Sequence, residues 1–158
     1  SAELTLFYIK GDNIVEVVQV DGRPQNRNVG DFTNKGIEFS LNYQILNNLA
    51  MHTNYSYLHM DNLITGAPRN KFYTGFTYNP GKFSFNAGVQ IINKLYLSTG
   101  ENTQTSSYML VDARASYRAL KWFDIFVKGD NLTARKYETM LGYPMPRATV
   151  MGGISLNI

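Results

Sequence analysis

At 158 residues, 44% hydrophobic, 13% aromatic and 17% charged, the chain is sized for one ordinary domain, and its aromatic-rich composition favours β structure. Its net charge of +3 is spread over single Lys and Arg residues, which excludes a phosphate-tracking nucleic-acid surface; the absence of cysteine excludes disulfides, thiolate zinc sites and thiol nucleophiles. There is no apolar run of the ~18 residues that a transmembrane helix needs, and no signal peptide is visible.

Taken in order, the elements are almost all strands. The chain opens as strand at Ser1–Leu6, which points to a fragment, a processed start or an engineered one. A first strand falls near Leu4–Tyr8, and a polar connection near Asp21–Asn28. Then Ile37, Phe39, Leu41 and Tyr43 alternate with Glu38, Ser40 and Asn42. After a tight turn at Asn47-Asn48, Leu49, Met51, Thr53, Tyr55 and Tyr57 alternate with Ala50, His52, Asn54 and Ser56. A longer connection spans Met60–Asn70. Phe72, Thr74, Phe76 and Tyr78 alternate with Lys71, Tyr73, Gly75 and Thr77 up to a turn at Pro80-Gly81. Phe83 to Ile91 alternates likewise, and Leu95–Ser107 is a long loop. Val111–Tyr117 and Phe123–Lys128 flank a tight turn at Ala119-Leu120-Lys121. The loop Thr133–Pro146 precedes a final strand, Val150–Ile158, in which Gly152-Gly153 reads as close packing or a bend. This is an all-β, antiparallel up-and-down meander of about eight strands.

Short turns at one end and long loops at the other are the layout of an outer-membrane barrel. Tyr43, Tyr78, Phe83, Tyr117 and Phe123 all stand on the apolar face beside short turns, where they fit a membrane aromatic girdle or the cap of a soluble core. Glu38, His52, Lys71, Asp112, Arg114, Asp124 and Lys128 share the opposite face. Facing lipid at mid-membrane, Lys or Arg would cost roughly 2–4 kcal/mol each, so in a barrel this face meets a wet lumen. In a soluble sandwich it would be the outer surface, and the pattern alone fits both.

The motifs narrow the choice. Asn34-Lys35-Gly36-Ile37-Glu38, Asn54-Tyr55-Ser56-Tyr57, Ala67-Pro68-Arg69-Asn70-Lys71 and Tyr108-Met109-Leu110-Val111-Asp112-Ala113-Arg114 follow one another. Asp130-Asn131-Leu132 with Lys136-Tyr137, then Gly142-Tyr143-Pro144 with Pro146-Arg147, complete the set. Together they resemble the late strands of TonB-dependent outer-membrane receptors, in the siderophore and cobalamin branch. Two departures are Ile158 in place of a terminal aromatic and Ala148 after Arg147 without the common glycine before that arginine. The resemblance makes residues 1–158 the C-terminal β-barrel segment of a bacterial outer-membrane protein, with the plug domain and earlier strands absent. It implies an active-transport receptor that captures a ferric siderophore, haem or cobalamin. The implied partners are outer-membrane lipid, the rest of the barrel and plug, and TonB through the missing N-terminal part.

No catalytic constellation, metal site or cofactor is expected. His52 and His59, seven apart on one strand, point to opposite faces. Asp112 and Arg114, two apart, are expected to form an ion pair. Arg69, Tyr96, Tyr137 and Tyr143, in the outer loops and upper lumen, are candidate contacts for an anionic or aromatic metal chelate, or parts of loop structure and an upper girdle. Two other classes fit the pattern: a self-contained eight-stranded barrel with a structural role, and a soluble β-barrel or sandwich binding protein.

Overall fold

Each alternating stretch becomes a strand, because a pleated backbone sends neighbouring side chains to opposite sides and gathers the apolar set on one of them. The computed structural model describes residues 1–99 and 102–156; Asn157 and Ile158 lie outside the described residues. The strands are β1 (Ala2–Val20), β2 (Arg23–Leu46), β3 (Leu49–Met60), β4 (Pro68–Tyr78), β5 (Phe83–Tyr96), β6 (Thr105–Leu120), β7 (Phe123–Asp130), β8 (Glu138–Met140), β9 (Tyr143–Pro144) and β10 (Thr149–Leu156). Eight of them pair antiparallel in the order β1-β2-β3-β4-β5-β6-β7-β10, an up-and-down meander. The hairpin β8–β9 stands apart in the loop between β7 and β10. It is too short to show an alternation in sequence.

Residues directly paired across antiparallel strands share a face. One rung runs Leu4, Phe39, Tyr55, Phe72, Ile91, Met109. Another runs Leu49, Tyr78, Phe85, Ala115, Val127, Gly152. On the other face lie Thr5, Glu38, Ser56, Lys71, Ile92 and Tyr108 in one rung, and Asn42, His52, Gly75, Gly88 and Asp112 in the next. The apolar face has no second layer over it among the described residues: Phe85 is 42% exposed and Val127 49%. The few buried apolar side chains, Met60, Ile92, Leu95, Tyr96 and Leu110, lie toward the long-loop end of their strands. The meander does not close on itself: among the described residues β1 pairs with β2 alone and β10 with β7 alone.

Two expected boundaries move. The polar connection at Asp21–Asn28 is not a loop: β1 and β2 stay paired to Val20 and Arg23. Asp21 and Gly22 both take positive φ, 51° and 74°, which is the two-residue hairpin turn that Asp-Gly favours. Arg23–Asn28 lacks apolar alternation because this part of β2 runs beyond the last β2–β3 pair, Asn34 with Met60, so no oily face is needed there. The turn expected at Ala119–Lys121 falls instead at 121–122, because Leu120 pairs with Phe123 across a bulge. The connections 47–48, 79–82 and 121–122 then share one end of the sheet. The connections 21–22, 61–67, 97–104 and 131–148 share the other.

Candidate functional site

The long-loop end is organised from the Asp130-Asn131-Leu132 motif. Asn131 has φ 49°, a left-handed conformation that Asn tolerates better than most residues. Its backbone N–H donates to Asp112 Oδ1 at 2.8 Å, and the Leu132 N–H donates to the Val111 carbonyl at 2.8 Å. The β6–β7 ladder therefore resumes after a bulge, with Leu132 against Gly129, where a Cβ would come within 2.5 Å of it. The Asn131 side chain, 4% exposed, donates from Nδ2 to the carbonyls of Arg135 (2.9 Å) and Pro146 (3.2 Å) and accepts the Arg135 N–H (2.9 Å). One amide thus ties both ends of the 131–147 loop. The loop is further fixed by the Met145 N–H on the Tyr137 carbonyl at 3.0 Å and by the Tyr137 ring 4.4 Å from that of Tyr108. Burial raises the Tyr137 phenol above its usual range, with Asp112 and Asp130 adding to the shift.

The charged face carries all seven residues assigned to it: Glu38, His52, Lys71, Asp112, Arg114, Asp124 and Lys128 share the side away from the apolar rungs. Glu38 and Lys71 border a hollow of about 480 Å³ with Tyr73 and Gln90. His52, Asp112, Arg114 and Lys128 border a second hollow of about 420 Å³ over Gly75 and Gly88. The expected Asp112–Arg114 ion pair does not form. Asp112 is turned to the Asn131 N–H, and the Arg114 guanidinium lies over the Phe126 ring, 4.2 Å from its centroid, a cation–π contact on the same face. Spacing alone does not forbid the pair; the Asn131 N–H and the Phe126 ring take the two side chains instead. Lys128 pairs with Asp130 at 2.9 Å, and Arg118 with Asp124 at 3.6 Å. The histidines part as expected: His52 bonds Asn42 and Asn54 on the charged face, while His59 sits 3.3 Å from Asp61. No group of three or more metal-ligating His, Cys, Asp or Glu side chains occurs among the described residues.

The four candidate ligand contacts do not converge. Tyr96 is 6% exposed. Arg69 is half-buried, and its Nε is a buried donor with no hydrogen-bond partner. Tyr143 is 67% exposed on β9. Tyr137 borders an open cavity of about 500 Å³, shared with Thr105, Ser106, Lys136, Glu138 and Arg147. Lys136 and Arg147 are the residues missed at this place. Their signal in the sequence was faint, since eleven positions separate them and only the hairpin brings them together. At the other end of the sheet, Tyr43, Tyr78, Phe83, Tyr117 and Phe123 all lie on the apolar face next to short turns. Phe83 and Tyr117 are 4.9 Å apart, and Tyr78 and Phe85 stack at 6.4 Å.

A single-layer antiparallel sheet, oily and uncovered on one side, charged and hollowed on the other, with short turns at one end and long loops beside the projecting β1–β2 hairpin at the other, is wall from a transmembrane β-barrel. In water such a face would far exceed the few hundred Å² of contiguous apolar surface that soluble monomers expose. Residues 1–132 match the family described as "TonB dependent receptor-like, beta-barrel". An uncharacterized TonB-dependent receptor of Haemophilus influenzae is 31% identical over 72% of this chain and 37% of its own length. Among solved structures, the copper transporter OprC superposes on 99% of this chain with a TM-score of 0.84 at 17% identity, covering 29% of its own chain. The siderophore receptor PiuA from Acinetobacter baumannii superposes on 98% with a TM-score of 0.77 at 22% identity, covering 26% of its own chain. The chain belongs to the TonB-dependent receptor β-barrel family, whose members are outer-membrane transport receptors and not enzymes. It spans a little over a third of that curated relative and under a third of those structures.

Proposed function

We propose that this chain is the C-terminal barrel segment of a receptor that captures a scarce ligand outside the cell and imports it with energy coupled through TonB. The ligand is a ferric siderophore, haem or cobalamin. The plug domain, the earlier strands and the TonB-contacting segment belong to the rest of the full-length protein. In this reading Glu38, His52, Lys71, Asp112, Arg114, Asp124 and Lys128 line the lumen, and their hollows receive the plug. Tyr43, Tyr78, Phe83, Tyr117 and Phe123 form the periplasmic girdle. Arg69, Tyr137 and Tyr143 meet ligand at the outer end, whereas Tyr96, buried among its neighbours, supports the loops.

The observation that carries this proposal is the likeness in fold to solved uptake receptors, among them the siderophore receptor PiuA and a ferripyoverdine receptor. The test is growth of the native host after disruption of the full-length gene, with iron or cobalamin supplied only as a ferric siderophore, haem or cobalamin. Loss of growth on one supply, restored by the intact gene and abolished again when TonB is removed, is the expected result. Unchanged growth on all three overturns the proposal.

A further inference from the structure

The uncovered apolar face is not uniformly bulky. On β5, β6 and β7 the rung Phe85, Ala115, Val127 is followed toward the long-loop end by Ala87, Ala113 and Gly129. These small residues, sunk beside Phe85 and Val127, leave a hollow of about 350 Å³ with an almost wholly apolar wall. In a membrane the hollow opens on hydrocarbon, and left empty its lining would forfeit dispersion contacts. At the short-turn end of the same strands the chemistry changes. The connections 47–48, 79–82 and 121–122 contain no carboxylate. Lys82 and Lys121 are exposed there, and neither has an ion-pair partner among the described residues. The Arg118 N–H donates to the Lys82 carbonyl at 2.8 Å. That bond holds the 79–82 turn against the end of β6, and Lys121 follows Arg118 by three residues. Asp124, on the charged face, pairs with Arg118 at 3.6 Å. Beside Lys121, Trp122 is 55% exposed, with its ring 5.9 Å from that of Phe123; tryptophan suits the boundary between headgroups and hydrocarbon.

We propose that this stretch of wall binds one anionic phospholipid of the periplasmic leaflet, with its phosphate held by Lys82 and Lys121 and one acyl chain laid in the hollow. The inference rests on the orientation given above, with the short turns on the periplasmic side. It adds a partner and a preference for headgroup charge. Both ends of such a molecule find a match. Two unpaired cations on neighbouring turns repel each other, and a phosphodiester between them relieves that repulsion. The hollow begins three residues along β5 from Lys82, about 10 Å at the usual rise, which leaves room for the glycerol and the first methylenes. Trp122 stands at that intermediate level. A zwitterionic headgroup brings its own ammonium beside the phosphate, and the lysines repel it. The site therefore favours a headgroup whose only charge is the phosphate.

The experiment titrates the full-length receptor, purified in detergent, with phosphatidylglycerol or phosphatidylethanolamine carrying identical acyl chains, and counts retained lipids by native mass spectrometry. Free glycerol 3-phosphate is the competing anion. The expected result is tighter retention of phosphatidylglycerol, by roughly tenfold or more. K82Q/K121Q removes that preference and leaves phosphatidylethanolamine unchanged. A113L/A115L, which fills the hollow with side chains at home in hydrocarbon, weakens phosphatidylglycerol severalfold. K10Q, at the opposite end of the sheet, changes neither lipid, and glycerol 3-phosphate at equal concentration displaces none. The proposal is overturned if the parent retains the two lipids equally, or if K82Q/K121Q keeps the preference. Retention of phosphatidylglycerol by A113L/A115L at the parent's level removes the acyl-chain hollow and overturns it too. Displacement by glycerol 3-phosphate at equal concentration overturns it as well, since a bare anion would then suffice. None of these failures bears on growth with a supplied ligand, so the uptake reading would stand without the lipid site.

Discussion

Replacing Asn131 by alanine tests the claim that one buried amide fixes the outer loop. The substitution removes three well-formed side-chain hydrogen bonds, at 2.9, 3.2 and 2.9 Å. Each contributes about 1 ± 0.5 kcal/mol. It also places alanine at φ 49°, a left-handed conformation costing roughly 1–2 kcal/mol for a residue with an ordinary Cβ. Together the loop should lose about 3–5 kcal/mol of local stability, a rise in its opening equilibrium on the order of a hundredfold to a thousandfold or more. Asn131→Gly separates the two contributions, since glycine accepts the backbone but makes no bonds; it should recover roughly the 1–2 kcal/mol of strain and no more. Amide hydrogen exchange in the full-length receptor is the assay. The Arg135 and Met145 amides, bonded to Asn131 Oδ1 and the Tyr137 carbonyl, should lose protection, while those at the centres of β3 to β6 keep theirs. Equal protection at Arg135 in parent and N131A would refute the reasoning, as would equal loss in N131A and N131G.

Three further outcomes follow from the sheet itself. Phe85→Arg puts a charge on the uncovered apolar face and should cost about 2–4 kcal/mol, whereas Ser116→Arg, on the charged face, should cost little; urea unfolding of the full-length receptor in lipid compares them, and equal costs would contradict the assigned faces. A Cβ on Gly75 or Gly88 would meet the Tyr73 hydroxyl at 2.5 or 2.8 Å, so G75A/G88A should destabilise by roughly 1–3 kcal/mol. Tyr73→Leu should suppress most of that loss in a double-mutant cycle, and strict additivity would count against the contact. Because burial holds the Tyr137 phenol above its usual range, the folded loop keeps its proton to higher pH than the unfolded chain. The stability this contributes is complete below the unfolded phenol pKa near 10 and is lost as pH rises through the raised folded value. Exchange protection of the loop, corrected for intrinsic rate, should fall across that alkaline window, and Tyr137→Phe should reduce the fall.

The strands between Ile37 and Lys128 were legible because a membrane wall demands strict alternation. One misplaced charge on the oily side is costly, so the sequence carries the period openly over whole strands. The same demand put the five aromatics beside the short turns on the apolar face and the seven charged residues on the opposite one. What was not legible lies beyond the reach of that demand. Arg23–Asn28 is strand without an oily side, so its polarity mimicked a loop while the Asp21-Gly22 turn signal went unused. The Asp112–Arg114 pair failed because Asn131 and Phe126, from the neighbouring strand and its continuation, compete at closer range than any spacing within one strand reveals. Lys136 and Arg147 needed the hairpin at 138–144 to bring them together, and a hairpin of three and two residues leaves no periodic trace. The motif around Asn131 was visible as a family resemblance; its work as a clamp needed the hydrogen bonds.

The β1–β2 hairpin has one more implication. Above Asn34 it runs free of β3 for about ten residues per strand, ~33 Å at the usual rise. A mast of this kind carries its turn at Asp21-Gly22 well away from the part of the sheet that β2 shares with β3. An antibody epitope spliced between those two residues would stand apart from the paired strands β2 to β10 and so would tag the protein without disturbing the sheet.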